Sequence, residues 1–293
     1  MTLQQLRQVL TIAESNSMNE AAKKLFVSQP NLSATVREVE EELGITVFMR
    51  NNRGITVTAE GEEFLGYAKQ VVEQYHLLEN RYLNVESKKK FSVSMQHYSF
   101  AVKAFVQLAK EVGMDEYEFA VHETKTKEVI DNVKNLKSEI GVLYLSDFNE
   151  KVLRKLFKEC DIEFKELFTC NTYVYLWKKH PLAGQKEITL DDLQEYPCLT
   201  FEQGVNNSFY YAEEMMSTYE YKRVIKADDR ATMLNLMVGL NGFTLCSGII
   251  SEDLNGDDYA AIPLKESEKM HIGYIKHKGT KLSKLGEIYI DAL

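Results

Sequence analysis

Three side chains near residue 30 are of the types that read base edges. In Ser28-Gln29-Pro30-Asn31-Leu32-Ser33, a carboxamide, a pyrrolidine ring and a hydroxyl lie within six residues. Gln29 can pair bidentately with adenine, Ser33 can reach a base or a phosphate, and Pro30 can meet a thymine methyl by apolar contact. A plainer role stands beside this one. Ser28 and Pro30 suit a helix start, as N-cap and as a first-turn residue whose missing N–H costs nothing. The two roles are compatible. Arg37 is the only cation further along the same segment, and Arg50 and Arg53 bracket an Asn-Asn pair. Their guanidinium groups suit phosphates or the minor groove; they equally suit surface ion pairs, which stabilise little.

The surrounding pattern supplies elements to hold these groups. Leu3, Leu6, Val9, Leu10 and Ala13 share one helical face. Ser17-Met18-Asn19-Glu20 has the form of a capping box and starts a second helix through Ala21, Ala22 and Leu25. A third helix runs from Ser28 through Leu32, Val36 and Val39 to Leu43, where Gly44 ends it. Two helices joined by a short turn form a helix-turn-helix. Ile45–Phe48 and Ile55–Thr58 then predict the arms of a hairpin whose turn carries the two arginines. A hairpin in that place acts as a wing beside phosphates. Next, Phe64, Ala68, Val71, Tyr75, Leu78, Tyr82 and Val85 recur at alternating spacings of four and three. That is the seam of a helix pairing with a second copy, over 60–86; packing on its own domain is the alternative. Lys88-Lys89-Lys90 closes it with cations suited to a helix C-terminus.

Bulk properties set limits. With 293 residues, 44% hydrophobic and 27% charged, the chain reads as globular, in two or three units. The net charge is −9, of which residues 1–90 carry −1 and the remainder −8. That argues against nonspecific coating of nucleic acid and leaves room for a local basic surface. No apolar run is long enough for a membrane span, and the N-terminus lacks the charged-then-apolar order of a secretion signal. A cytoplasmic protein with no membrane partner is therefore expected. Cys160, Cys170, Cys198 and Cys246 form no C-x-x-C and have no histidine at ligand spacing; reduced thiols, no metal and no cofactor follow. His97, His122, His180, His271 and His277 are scattered, and G-x-S-x-G, P-loop, G-x-G-x-x-G and H-E-x-x-H motifs do not occur. An enzyme is not expected.

Taken together, Ala21-Ala22-x-x-Leu25, Val27-Ser28-Gln29-Pro30-x-Leu32-Ser33, Glu40-x-x-Leu43-Gly44-Ile45, Phe48-x-Arg50-x-x-Arg53 and Thr56-x-Thr58-x-x-Gly61 resemble the LysR-type transcriptional regulators. Trp177–Ala183 resembles a strand-to-turn segment of that family's effector domain. Ala34 and Thr35 depart from it, standing where many members place a basic residue. The resemblance implies an α/β chain with an α-rich N-terminal part: a winged helix-turn-helix over 1–58, a linker and dimerisation helix over 59–88, and an effector-binding domain over 89–293. That last part would resemble a type 2 periplasmic binding protein, with lobe I at 89–161 and 266–293 and lobe II at 162–265. Strand-helix alternation from Phe91 agrees and predicts a parallel sheet. The implied function is sequence-specific binding of double-stranded operator DNA, modulated by a small anionic co-inducer between the lobes. A homodimer paired into a homotetramer is implied, with RNA polymerase as a further partner. Ser28, Gln29, Pro30, Ser33, Arg37, Arg50 and Arg53 would meet DNA. Phe64, Ala68, Val71, Tyr75, Leu78 and Tyr82 would pair the copies. Gln96, Tyr98, Ser99, Thr124, Thr126, Phe201, Gln203, Thr232 and Ser247, which follow predicted strands, would hold the effector with hydroxyls and helix-start amides. Each also reads as a helix cap or loop hydroxyl. A regulator that works through a protein partner, without a small ligand, is the remaining alternative.

Overall fold

The computed structural model describes the chain outside residues 16, 52–53, 83–87, 114–115 and 207, and the backbone alone at 50, 51, 54, 77 and 80–82. The chain divides into two compact units, Met1–Ser87 and Lys88–Leu293.

In the first unit, α1 (Leu3–Ala13) begins at a reciprocal cap that the sequence pattern did not signal: Thr2 accepts the Gln5 N–H and the Gln5 side chain accepts that of Thr2. α2 (Met18–Lys24) and α3 (Gln29–Leu43) begin at Ser17 and Ser28, whose hydroxyls accept the amides of Glu20 and Asn31. Val9, Ile12, Ala21, Leu32 and Val39 bury their side chains among the three helices. α3 stops at Gly44, whose φ of +71° suits glycine.

β1 (Phe48–Asn51) and β2 (Gly54–Val57) form an antiparallel hairpin with Phe48 opposite Val57. Its first arm starts three residues later than the sequence pattern placed it. The Glu40 carboxylate on α3 accepts the N–H groups of Val47 and Phe48 at 2.7 and 3.1 Å, so Ile45–Val47 serves as a connector tied to α3. Thr58 joins the hairpin to the following helix: its N–H donates to the Val47 carbonyl at 3.0 Å, its hydroxyl donates to Thr46 O, and the same oxygen accepts the Gly61 N–H at 2.9 Å. A Cβ on Gly61 would lie 2.3 Å from the Val47 oxygen, so nothing larger than glycine fits there.

α4 (Ala59–Tyr82) corrects the seam read from the sequence. Phe64 and Ala68 are not open to a second copy; they pack with Val72 against Leu3, Leu6 and Leu10 of α1. The apolar row left exposed is Tyr67, Val71, Tyr75 and Leu78. The first half of the helix shares its apolar face with its own domain, whereas the second half meets α1 through Arg7, which pairs with Glu79 and lies over the Tyr75 ring. The Tyr82 side chain and Val85 lie outside the described residues.

In the second unit, β3 (Lys89–Met95), α5 (Ser99–Val112), β4 (Tyr117–Glu123), α6 (Thr126–Lys134), β5 (Ile140–Leu145), α7 (Glu150–Glu159) and β6 (Ile162–Asn171) follow in order. β7 (Tyr173–Trp177), β8 (Cys198–Phe201), β9 (Val224–Ala227), α8 (Arg230–Leu240), β10 (Thr244–Cys246), α9 (Glu252–Asn255) and β11 (Tyr259–Pro263) come next, then β12 (Lys269–His277) and α10 (Lys284–Asp291). The large sheet has the order β4-β3-β5-β12-β6. β3 runs parallel to β4 and β5, whereas β12 is antiparallel to β5 and β6, so the sheet is mixed rather than parallel. Two smaller sheets, β10-β7-β11 and β8-β9, make the second lobe.

This topology corrects the lobe boundary: 162–171 belong to the first lobe, because β6 pairs with β12 along its whole length. The crossing falls at Thr172. Its N–H donates to Ser267 Oγ at 2.8 Å, its hydroxyl to Glu268 O at 2.9 Å, and its carbonyl accepts the Leu264 N–H. The outgoing and returning chains are thus bonded side by side between the lobes. β5 is buried throughout, with α6 and α7 packed beside it and α5 and α10 contributing to the core formed with β3.

Candidate nucleic-acid interface and ligand cleft

In the first unit, the start of α3 is open. Pro30, Asn31, Ala34 and Arg37 are exposed on it and Gln29 is half-buried. Ser28 is exposed, but its hydroxyl is engaged as the helix cap. Ser33 is not on the exposed face: it is buried, and its hydroxyl accepts the Gln29 Nε2–H at 2.8 Å. The hydroxyl therefore aims the amide rather than reaching DNA, because position 33 points back toward the helix core beside Leu32. Gln29 keeps its carbonyl oxygen and a second N–H, the acceptor and donor that an adenine edge requires. Arg50 sits on β1 opposite Ile55, its side chain outside the described residues, as is Arg53 entirely.

Phe26 was not among the residues singled out by type or spacing. It lies in the turn between α2 and α3 with φ +55° and is 96% exposed. Left-handed backbone is unfavourable for such a residue, and nothing in the α-helical spacing signals it.

The second unit has a cavity of about 80 Å³ between its lobes. Tyr98 and Ser99 reach it from the end of β3 and the start of α5; Phe201 and Ser247 reach it from the second lobe. The other predicted contacts lie elsewhere. Gln96 is fully buried behind the cavity, donating to Thr126 Oγ1 at 2.5 Å and accepting from Tyr98 Oη and the Tyr144 N–H. Thr126 is buried too: its N–H donates to Gln203 Oε1 at 3.1 Å and its hydroxyl to Tyr211 O at 2.8 Å. The helix-start amide expected to receive an effector is thus held by the protein's own carboxamide. Thr124 is hydrogen-bonded to Glu128, and Thr232 is bonded through N–H and hydroxyl to Asp229, the cap of α8. Both are helix-start residues away from the cavity.

A segment of the second lobe crosses to the first, and the sequence reading did not foresee it. Glu213 accepts the His97 backbone N–H at 3.0 Å and pairs with His97 Nδ1 at 2.8 Å, while Gln203 donates to its other oxygen at 2.9 Å. The His97 ring stacks on Phe201, centroids 3.6 Å apart. Tyr144 donates to Ala212 O at 3.0 Å, and the Phe148 and Tyr210 rings stack. Glu214 is buried beside Glu213 and accepts the Phe201 N–H at 2.8 Å. Burial, and then its charged neighbour, push the Glu214 carboxyl up to about 8. No periodicity reports contacts between positions more than a hundred apart. The adjacent acids Glu213-Glu214 in a segment rich in tyrosine were the one available sign.

Arg230 at the start of α8 lines the cavity and is ion-paired with Glu123. Apolar lining comes from Met233, Met237, Ile250 and Met270. Burial raises the thiols of Cys170 and Cys246, to about 11 and about 12, so both are poor thiolates. A larger cavity of about 650 Å³ lies on the far side of Phe201 and Glu214, lined from the second lobe alone.

Residues 3–62 match the model of the bacterial regulatory helix-turn-helix proteins of the lysR family, and residues 114–293 that of the LysR substrate binding domain. The regulator CysL of Bacillus subtilis is 25% identical over 98% of this chain and 95% of its own length. The dual regulator GltC of the same organism is 30% identical over 70% of this chain and 66% of its own. A full-length variant of OxyR from Pseudomonas aeruginosa superposes with a TM-score of 0.72 at 19% identity, covering 100% of this chain and 94% of that one; it shares the fold.

Proposed function

Because the chain belongs to the LysR family of bacterial transcriptional regulators, DNA-binding proteins with an effector-binding domain, we propose the residues through which it works. Gln29 and Pro30 at the open start of α3 read base edges, Ser33 aims Gln29, and Arg37, Arg50 and Arg53 hold phosphate or minor groove. The observation that carries this is the Gln29 amide, bonded to Ser33 and with one donor and one acceptor unbonded among the described residues. Two copies pair through Val71, Tyr75 and Leu78, so that two heads reach half-sites about 34 Å or a multiple apart; pairs of dimers make the tetramer. The protein acts in the cytoplasm on operator DNA, and RNA polymerase is a partner of the bound tetramer. The effector binds in the cavity between the lobes, where it is bound and not turned over.

The test is fluorescence anisotropy on an operator selected from random duplexes. Gln29→Ala is expected to cost ~1–3 kcal/mol and relax one base position. Arg53→Ala is expected to weaken all sequences alike and lower the salt slope by about one. Wild-type binding by both variants would refute the docking. Val71→Glu with Leu78→Glu should yield monomers in light scattering and abolish operator binding; an unchanged oligomer would refute the pairing.

A further inference from the structure

We propose that the cavity between the lobes takes a small organic cation, an amine with a short apolar body, whose ammonium group pairs with Glu214. This rests on the reading of that cavity as the effector site and names the chemistry of its ligand.

A carboxylate effector needs donors, and several backbone amides beside this cavity are already bonded within the protein. The Thr126 amide goes to Gln203 and the His97 amide and ring to Glu213, while Arg230 pairs with Glu123, which offsets its charge. The Phe201, Ile249 and Ser251 amides go to Glu214, Ser247 and Ser99, and Asn255 Nδ2 to the Tyr175 hydroxyl.

The site also has acceptor capacity that an anion could not use. A carboxylate has about four lone-pair sites, so Glu214 can accept more than it does. Thr244 gives the second, independent sign. Its side chain lines the cavity, the residue is 6% exposed, and Oγ1 has no hydrogen-bond partner among the described residues. A buried hydroxyl left unpaired is unfavourable, and a ligand N–H would relieve it. The His97–Phe201 stack adds aromatic surface and Met233, Met237 and Ile250 an apolar floor, both suited to the body of an amine. The larger cavity does not compete for this role: it is lined by one lobe and cannot report their relative angle.

Charge gives the proposal a pH signature. The groups facing Glu214 are Glu213, His97, Tyr98, Tyr144, Cys198 and Tyr221, with the Arg230–Glu123 pair across the cavity. A cation favours the ionised carboxyl, so its binding releases a proton below about 8. Affinity for an amine therefore rises with pH up to that value, by as much as about tenfold per unit. An anion shows the reverse sign.

The experiment is calorimetric titration of the full chain with n-butylamine, butyrate and n-butanol at pH 6, 7 and 8. Butylamine is expected to bind, tighter at pH 8 than at pH 6, and butyrate not to bind. Glu214→Gln keeps the shape of the neutral acid and the Phe201 bond. It should fold, melting at or above the wild-type temperature as pH rises, bind butylamine at least about tenfold more weakly and lose the pH dependence. Thr244→Val, which removes only the hydroxyl, should weaken binding less. Tighter binding of butyrate or butanol than of butylamine, no binding of butylamine at any pH, or undiminished binding by Glu214→Gln overturns the cation. Failure of the effector site itself is a different result: no compound in a metabolite pool, of either charge, raises the melting temperature.

Discussion

The two units hold their polar groups in opposite ways. In the first, the bonds that fix functional residues are short in sequence: Ser28 caps three residues on, Gln29 bonds Ser33, and Glu40 reaches Val47 and Phe48. The start of α3 is left open, and among the described residues the Gln29 carboxamide bonds Ser33 alone. In the second, the fixing bonds span the chain, as between His97 and Glu213 or Thr126 and Gln203, and they close on themselves. A surface that meets DNA must be ready-made and unpaired. A cleft whose lobes are to move can be held shut by its own side chains until a ligand changes the balance.

That contrast can be broken from either side. The largest expected effect is in the first unit. Gly61→Ala puts a methyl against the Val47 carbonyl at 2.3 Å, and the neighbour is backbone. A loss of roughly 3 kcal/mol or more is expected, with the transition of 88–293 unmoved in calorimetry. A wild-type melting curve would show that the join between hairpin and α4 is looser than described.

Next comes the bridge in the second unit. Glu213→Ala leaves the His97 N–H and the Gln203 amide without their acceptor. About 2–3 kcal/mol of stability should go, accompanied by faster hydrogen exchange at residues 203–216. Unchanged exchange there would mean that the segment does not depend on His97.

A pH-dependent effect follows from Glu214. Its carboxyl is raised from 4.5 to about 8 in the folded chain, so between those values the folded state binds more protons than the unfolded. Stability of the second unit should therefore fall as pH rises from about 4.5 to about 8. Glu214→Gln should flatten that slope, as a melting series at fixed ionic strength will show. The same slope in both proteins would remove Glu214 from the account.

The smallest concerns Phe26. Asparagine tolerates left-handed backbone better than phenylalanine, so Phe26→Asn should stabilise the first unit by up to about 1 kcal/mol. A drop in its melting temperature would mean that the exposed ring contributes to folding.

The same division decides how much was legible beforehand. Helix starts at Ser17 and Ser28 and the stop at Gly44 were readable because caps and a glycine are local signals. The role of Ser33 was misjudged because helical spacing leaves an intermediate position free to face in or out. Strand β6 was given to the wrong lobe because its pairing partner, β12, lies about a hundred residues later. The cleft was half legible. Tyr98, Ser99, Phe201 and Ser247 follow strands and line the cavity. Gln96, Thr126 and Gln203 also lie beside strand ends but bond one another through Thr126, and Glu213 and Glu214 arrive from an irregular segment that no pattern marks.

The proposed function requires that the cleft and the start of α3 be energetically coupled. The direct test is calorimetric titration of a compound selected by thermal shift, n-butylamine being the first candidate, into the protein with and without its operator. Coupling of ~1–3 kcal/mol predicts ligand affinities that differ by about 5–150-fold between the two titrations, with operator affinity changing by the same factor when the ligand is saturating. Identical ligand affinity with and without operator would contradict it.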